Sequence, residues 1–404
     1  MPDFWNTDSV ACILNSMFSN GKRTFPPGSA EAEDAFVRLR HKLALDATRF
    51  FGLEPAALEA LQGMGSLEEQ AGEILRRLRR QSSQAVHFTT SGSTGVPCPC
   101  RHSFIELEEE VRSLAPFFAG RRRIISVMPV HHSFGFVFAL LLPRALGLPP
   151  SLHLPPLPSA KFFRTLRQGD LVLAFPVFWQ SFLSMCSGNF ALSCPPDLQG
   201  VTSAAPCPPE VIEALCSPPP GRALLEGMTE IFGSSEGGAI GIRRQCRGWY
   251  SLLPHWRREP AASAGGESCL PEESEWGIRR KSGFFLRLSD EVAWEDERRF
   301  VPLRRRDYAV QVGGINVFPL RIADLLRTHP KVADCAVRLM RPDEGARLKA
   351  FVVPAAGLVP DAALSRELKI WIAGKLEPAS RPKALRFGES LPRTPSGKAC
   401  DWDM

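Results

Sequence analysis

Residues 89–97 read Thr-Thr-Ser-Gly-Ser-Thr-Gly-Val-Pro. Glycines in such a run let the backbone approach an anion closely, while hydroxyls and amide N–H groups donate to its oxygens, so the turn suits a polyphosphate. A stretch of this composition also serves as a plain flexible connection. It lacks the Gly-Lys-Ser/Thr ending of a P-loop NTPase, which excludes that chemistry. Other side chains able to hold a charge or move a proton are His132, Glu236, Asp290 and Lys398. Taken singly each has an ordinary reading: His132 as a satisfied core histidine, Glu236 as a surface acid, Asp290 as a turn residue at a strand end, Lys398 as a solvated lysine on a tail.

Order and spacing say more than any one of them. After the Ser/Thr/Gly run come Pro129-Val130-His131-His132-Ser133-Phe134-Gly135, then Ser203-Ala204-Ala205-Pro206, then Phe232-Gly233-Ser234-Ser235-Glu236. Asp290 precedes Arg305 by fifteen positions, Asp307 follows two residues later, and Gly314, Val317 and Pro319 fall at Gly-x-x-Val-x-Pro spacing. Near the end stands Leu391-Pro392-Arg393-Thr394-Pro395-Ser396-Gly397-Lys398. This ordered series resembles the motifs of the acyl- and aryl-adenylate-forming superfamily, which includes acyl-CoA synthetases, peptide-synthetase adenylation domains and luciferases.

The resemblance implies ATP and Mg2+ as cofactors and a role for each matching residue. Thr90, Ser91, Gly92, Ser93, Thr94 and Gly95 would hold phosphate. Phe232 would stack on adenine, with Gly233, Ser234 and Ser235 beside it, and Glu236 would hold the magnesium. Asp290 would grip the ribose hydroxyls and Arg305 would contact the nucleotide. His132, Ala204, Ala205 and Gly237 would line the acyl pocket, the small residues leaving room there. Asp307 would be the hinge and Lys398 the catalytic cation. Chemically, a carboxylate attacking the α-phosphate of ATP brings two anions together, and fixed positive charge is what makes that encounter possible.

The pattern departs from the family at Cys98 and Gln311, where lysines are usual, and only 88 residues precede the phosphate loop, which implies a shortened N-terminal lobe. Glu-Ile-Phe-Gly-Ser-Ser-Glu-Gly-Gly at 230–238 and Val-Gly-Gly-Ile-Asn-Val-Phe-Pro at 312–319 look most like the compact ligases of aryl-polyene and xanthomonadin-type pathways. That resemblance implies a hydroxybenzoate- or cinnamate-like carboxylic acid loaded on an acyl carrier protein, with free CoA as the alternative acceptor. The two lost lysines motivate a reading of another class, a catalytically degenerate scaffold or regulator.

The elements that must position these residues are legible in outline. From Ala30 to Arg80 apolar residues recur at helical spacing, and Ala85 to Phe88 reads as a strand entering the Ser/Thr/Gly turn. Strand-like runs at 123–128, 170–175 and 200–203 alternate with helical runs at 104–118, 159–166 and 208–215, predicting a layered α/β architecture on a mixed sheet. Residues 258–277, rich in Pro, Glu, Ala and Gly, read as a surface loop, and 283–288 with 297–303 as paired strands. From Tyr308 a strand, helix, two strands, helix and polar tail form a compact pattern. The expectation is a large α/β adenylation domain over 1–305 and a small mobile α+β lid over 308–404.

Composition agrees with two domains, since 404 residues exceed what one core usually serves. A net charge of +6 with arginine clusters and no interleaved aromatics reads as solvated basic faces, not as a nucleic-acid surface. Eleven cysteines without paired spacing fit a reducing cytoplasm and neither a disulfide framework nor a zinc site. The N-terminus lacks a basic start followed by an apolar run, and the apolar stretch 134–142 is too short to span a bilayer, so neither a signal peptide nor membrane insertion is expected.

Overall fold

The computed structural model describes residues 4–21, 30–81, 85–90, 98–188, 194–216, 224–244, 246–260, 276–305, 309–392 and 400–403. The chain divides into two compact units, the larger comprising 1–90, 97–288 and 293–301 and the smaller 91–96, 289–292 and 302–404.

In the larger unit the leading helices are α1 (Thr7–Gly21), α2 (Ala30–Phe50), α3 (Ala56–Gly63) and α4 (Leu67–Arg80). The long helical run read from sequence is therefore three helices, and α1 is an addition to it. Ser66 starts α4 with a capping box, its hydroxyl accepting from the Glu69 amide while Glu69 returns the bond. Next comes the hairpin β1 (Ala85–Thr90) and β2 (Cys98–Ser103), whose ends Thr90 and Cys98 are in register. A second capping box, Ser103 with Glu106, starts α5 (Phe104–Leu114).

The core sheet uses β3 (Arg123–Ser126), β4 (Leu152–His153), β5 (Asp170–Ala174), β6 (Gln199–Thr202), β7 (Gly227–Ser234), β8 (Gly238–Arg243) and β9 (Tyr250–Leu252). Strands β4, β3, β5, β6 and β7 lie parallel in that order; β8 and β9 continue it antiparallel. All of Asp170–Ala174 is buried, as a strand covered on both faces must be. Helices α6 (Ser133–Gly135), α7 (Leu142–Ala145), α8 (Ala160–Thr165), α9 (Pro176–Gly188) and α10 (Pro209–Cys216) fall between the parallel strands. Phe162, Phe178, Trp179 and Phe182, from α8 and α9, fill one core cluster with Ile125, Val172 and Met228.

The remaining strands of this region are β10 (Trp256–Pro260), β11 (Trp276–Arg280), β12 (Phe285–Leu286), β13 (Asp290–Trp294) and β14 (Arg299–Arg305). Strands β10, β11 and β12 form a separate small sheet, while β13 and β14 extend the core sheet at β9. The expected pairing of 283–288 with 297–303 is thus not made. Phe285 and Leu286 pair back to β11, and Phe300 pairs with Tyr250. The expected surface loop at 258–277 begins and ends inside paired strands, Pro260 opposite Trp276.

The smaller unit holds the hairpin β15 (Val310–Val312) and β16 (Ile315–Val317), then α11 (Pro319–Arg327), β17 (Val332–Leu339), β18 (Leu348–Pro354), α12 (Ala362–Lys375) and β19 (Ala384–Phe387). Gly313 and Gly314 take φ of +61° and +83°, the primed turn that a two-residue hairpin needs. Pro319 opens α11 and Asp361 caps α12 through the Leu364 amide at 2.7 Å. Apolar residues of these elements, among them Ile322, Leu326, Val337, Ala350, Leu364 and Leu368, make its core. The α+β pattern expected from Tyr308 onward is present, with β19 added in the tail. Among the described residues no helix is long and apolar enough to cross a membrane.

Candidate functional site

Three of the sequence motifs converge on one edge of the core sheet. Residues 129–135 follow β3, 203–206 follow β6, and 232–237 close β7, so all three lie at the carboxyl ends of parallel strands, where open α/β sheets bind ligands. Helix α6, which opens directly after His132, packs beside β8. The phosphate-loop residues Ser91 to Gly95 lie outside the described residues; Thr90, at the end of β1, marks where that segment leaves the hairpin.

Glu236 sits exposed at the tip of the β7–β8 hairpin. Ser234 Oγ accepts from the Gly237 amide at 3.1 Å, and Gly238 adopts φ +69° to turn the chain back. A Cβ at Gly233 would stand 2.3 Å from the Gly238 carbonyl oxygen, so that position admits glycine alone. Phe232 lies half-buried with its ring 5.4 Å from Phe300 and 5.8 Å from Tyr250. A Cβ at Gly237 would meet the side-chain end Leu286 Cδ2 at 2.6 Å.

At the end of β6, Ser203 Oγ donates to the Ile231 carbonyl at 3.0 Å and ties this strand to β7. Ala204 is exposed and holds φ +74°, a left-handed conformation that a Cβ disfavours. Ala205 is half-buried beside it.

His132 is exposed, and its ring centroid lies 4.5 Å from that of His131. Surrounding protein nevertheless desolvates its imidazolium and lowers its pKa. His131 is held to about 3, first by burial and then by the neighbouring His132. Its Nδ1 meets Ser16 Oγ at 2.9 Å, and that hydroxyl oxygen accepts from the Val130 amide at 3.0 Å. Gly135 fits against this segment because a Cβ would lie 2.1 Å from the Pro129 carbonyl oxygen. Residues Phe136–Leu141 then form a π-helix, a distortion frequent beside functional sites.

Asp290 opens β13 and is half-buried; Arg305 closes β14. Asp307 and Lys398 lie outside the described residues. The flanks of 393–399 are nonetheless tied within the smaller unit: the Cys400 amide donates to the Pro392 carbonyl at 3.1 Å. Beyond it, fully buried Lys349 donates to Glu344 at 2.7 Å and to the Trp402 carbonyl at 2.5 Å, and contacts Asp401 at 3.1 Å. The tail read as merely polar is anchored.

The donor set fits a metal delivered with nucleotide. Among the described residues no group of three or more His, Cys, Asp or Glu could cage an ion. One exposed carboxylate, Glu236, is what Mg2+ uses when phosphates and waters complete its shell. A separate cavity of about 580 Å³, bordered by Ile212, Cys216, Met228, Arg244 and Cys246, lies at the opposite end of β7 and holds none of the expected site residues.

Sequence reading missed His102, Glu110 and Arg280, all buried and all bonded to the Glu236 turn. Arg280 sits in the basic cluster 279–281 and Glu110 ends the acidic run 108–110, so both look like surface charge. The available signal was helical phase: Glu110 shares a face with Leu107, Val111 and Leu114.

The profile of the AMP-binding enzyme C-terminal domain matches residues 321–398. A 4-coumarate–CoA ligase of Halorhodospira halophila is 33% identical over 97% of this chain and 98% of its own length. A 4-coumarate–CoA ligase of Rhodobacter capsulatus is 37% identical over 80% of this chain and 77% of its own. Among solved structures, o-succinylbenzoate CoA synthetase of Bacillus subtilis has the same fold, with a TM-score of 0.65 at 17% identity, covering 98% of this chain and 91% of that one.

Proposed function

Because the chain belongs to the AMP-binding, adenylate-forming ligase family and is an acid–thiol ligase, we propose that it activates an aryl carboxylic acid to acyl-AMP and passes the acyl group to CoA. The observation that carries this reading is the convergence of 129–135, 203–206 and 232–237 at the carboxyl edge of the parallel strands. Relatives matched over most of their length and named 4-coumarate–CoA ligases favour an aryl acid. They also favour free CoA over the acyl carrier protein that the pigment-pathway resemblance implied.

In this reading ATP lies along that edge, its phosphates at the 91–95 segment and its adenine beside Phe232. Ser203 fixes the spacing of β6 and β7 at the nucleotide, and His132 forms a wall against the acyl group. Glu236 would hold Mg2+, which when bound offsets the charge of the phosphates. Asp290 and Arg305 orient the ribose and nucleotide, and Lys398 bridges the acid carboxylate and the α-phosphate. Asp307 is the hinge on which the smaller unit turns between adenylation and thiol transfer.

The acceptor is tested by incubating the protein with ATP, Mg2+ and a panel of hydroxycinnamic and benzoic acids, then following AMP and thioester. The reading expects thioester with CoA alone. Thioester formed with a phosphopantetheinylated carrier protein and not with CoA would overturn the acceptor, and AMP release with aliphatic acids only would overturn the aryl class.

A further inference from the structure

The turn that presents Glu236 is gripped from three sides by buried polar groups of distant segments. His102 Nε2 meets the Ser235 carbonyl at 2.6 Å; a carbonyl only accepts, so that nitrogen carries the proton. Arg280 donates to the Gly237 carbonyl at 2.6 Å, to the Glu106 carbonyl at 2.8 Å and to Glu110 at 3.1 Å. The backbone carbonyl on each side of Glu236 is therefore held by a buried donor. The other Glu110 oxygen accepts from the Ala239 amide at 2.8 Å, and Trp256 Nε1 donates to the Ala239 carbonyl at 2.9 Å. The guanidinium of Arg280 also lies 4.7 Å from the Trp256 ring.

Arg280 and Glu110 are each 1% exposed and His102 is 3% exposed. A buried ion pair of this kind seldom adds net stability over an apolar substitute, so its location is informative. Here it abuts the turn: a Cβ at Gly238 would stand 2.2 Å from Glu110 Oε2, so the carboxylate fills the space a side chain would take. Burial pushes the Glu110 carboxyl up, and Arg280 with the Ala239 amide opposes that shift.

We propose that His102, Glu110 and Arg280 are positioning residues that fix the Ser235–Gly238 turn, and through it the Glu236 carboxylate, for the metal–nucleotide complex. The inference rests on the ligase reading above. Glu236 has an exposed side chain on this turn, and a carboxylate so placed would lose affinity by wandering; supports behind a metal-binding side chain typically contribute about 10- to 100-fold.

The test replaces His102→Phe, which keeps an aromatic ring against Phe88, now 5.2 Å from the histidine ring, and separately Arg280→Lys, which keeps the charge beside Glu110 and loses the forked contacts. Binding of Mn2+ with ATP is read by electron paramagnetic resonance, alongside Mn–ATP kinetics of pyrophosphate exchange and thermal unfolding. Each folded variant is expected to bind Mn–ATP about tenfold more weakly, with KM for Mn–ATP rising more than kcat falls. If Arg280→Lys does not fold, His102→Phe decides alone. Unchanged Mn–ATP affinity in folded variants, with only the melting temperature lowered, would overturn the positioning role. A wild-type protein that binds no Mn–ATP would instead overturn the ligase reading, and this inference with it.

Discussion

At the scale of single residues the site stores strain where the chemistry is expected. Ala204, just past the end of β6, holds a positive φ that costs an alanine about 1 kcal/mol. Ala204→Gly should raise stability by about 1 kcal/mol in urea unfolding; an unchanged or lowered midpoint would show the conformation is not held in solution. Titration gives a second outcome. Burial holds His131 and His255 to about 3, and lowers His87 and His102 as well. Each of these rings binds a proton more readily in the unfolded chain, so their contribution is complete above pH 6.5 and is lost as pH falls toward 3. Glu110 and Glu230 are raised and act in the opposite sense, but each faces an arginine, and the four histidines outnumber them. Unfolding free energy should therefore drop between pH 7 and 5, by at most about 1.4 kcal/mol per pH unit for each histidine. A flat profile there would contradict the burial of these rings.

At the scale of elements, legibility followed periodicity. Strands β3 and β5 announce themselves as short apolar runs, and α11 and α12 by their apolar stripe and starting residues. The pairing of 283–288 was misread because two short runs separated by a turn look like a hairpin, whereas long-range partners, β11 and β9, decide where each goes. The tail was misread because its order comes from Lys349, whose lysine identity signals solvent, not burial. Its anchoring gives a prediction: Lys349→Ala leaves Glu344 with Arg341 alone and lets residues 400–403 detach. The melting temperature should fall by about 5 °C or more, with a larger proportional loss of adenylation than of thiol transfer. Equal loss in the two half-reactions would argue that the anchor serves stability alone.

At the scale of the whole molecule, three motifs that lie far apart in the sequence return to one sheet edge. What spacing could not convey is how that edge is supported, since the supports, His102, Glu110 and Arg280, belong to no motif and are chosen by burial. With cysteine at 98 and glutamine at 311, the proposed mechanism rests adenylation on Lys398. The most direct test is acid-dependent exchange of labelled pyrophosphate into ATP by Lys398→Ala beside the wild type. The account predicts exchange by the wild type with an aryl acid and a loss of about 100-fold or more in the variant, which still converts a preformed acyl-AMP and CoA to thioester. Undiminished exchange in Lys398→Ala would contradict it.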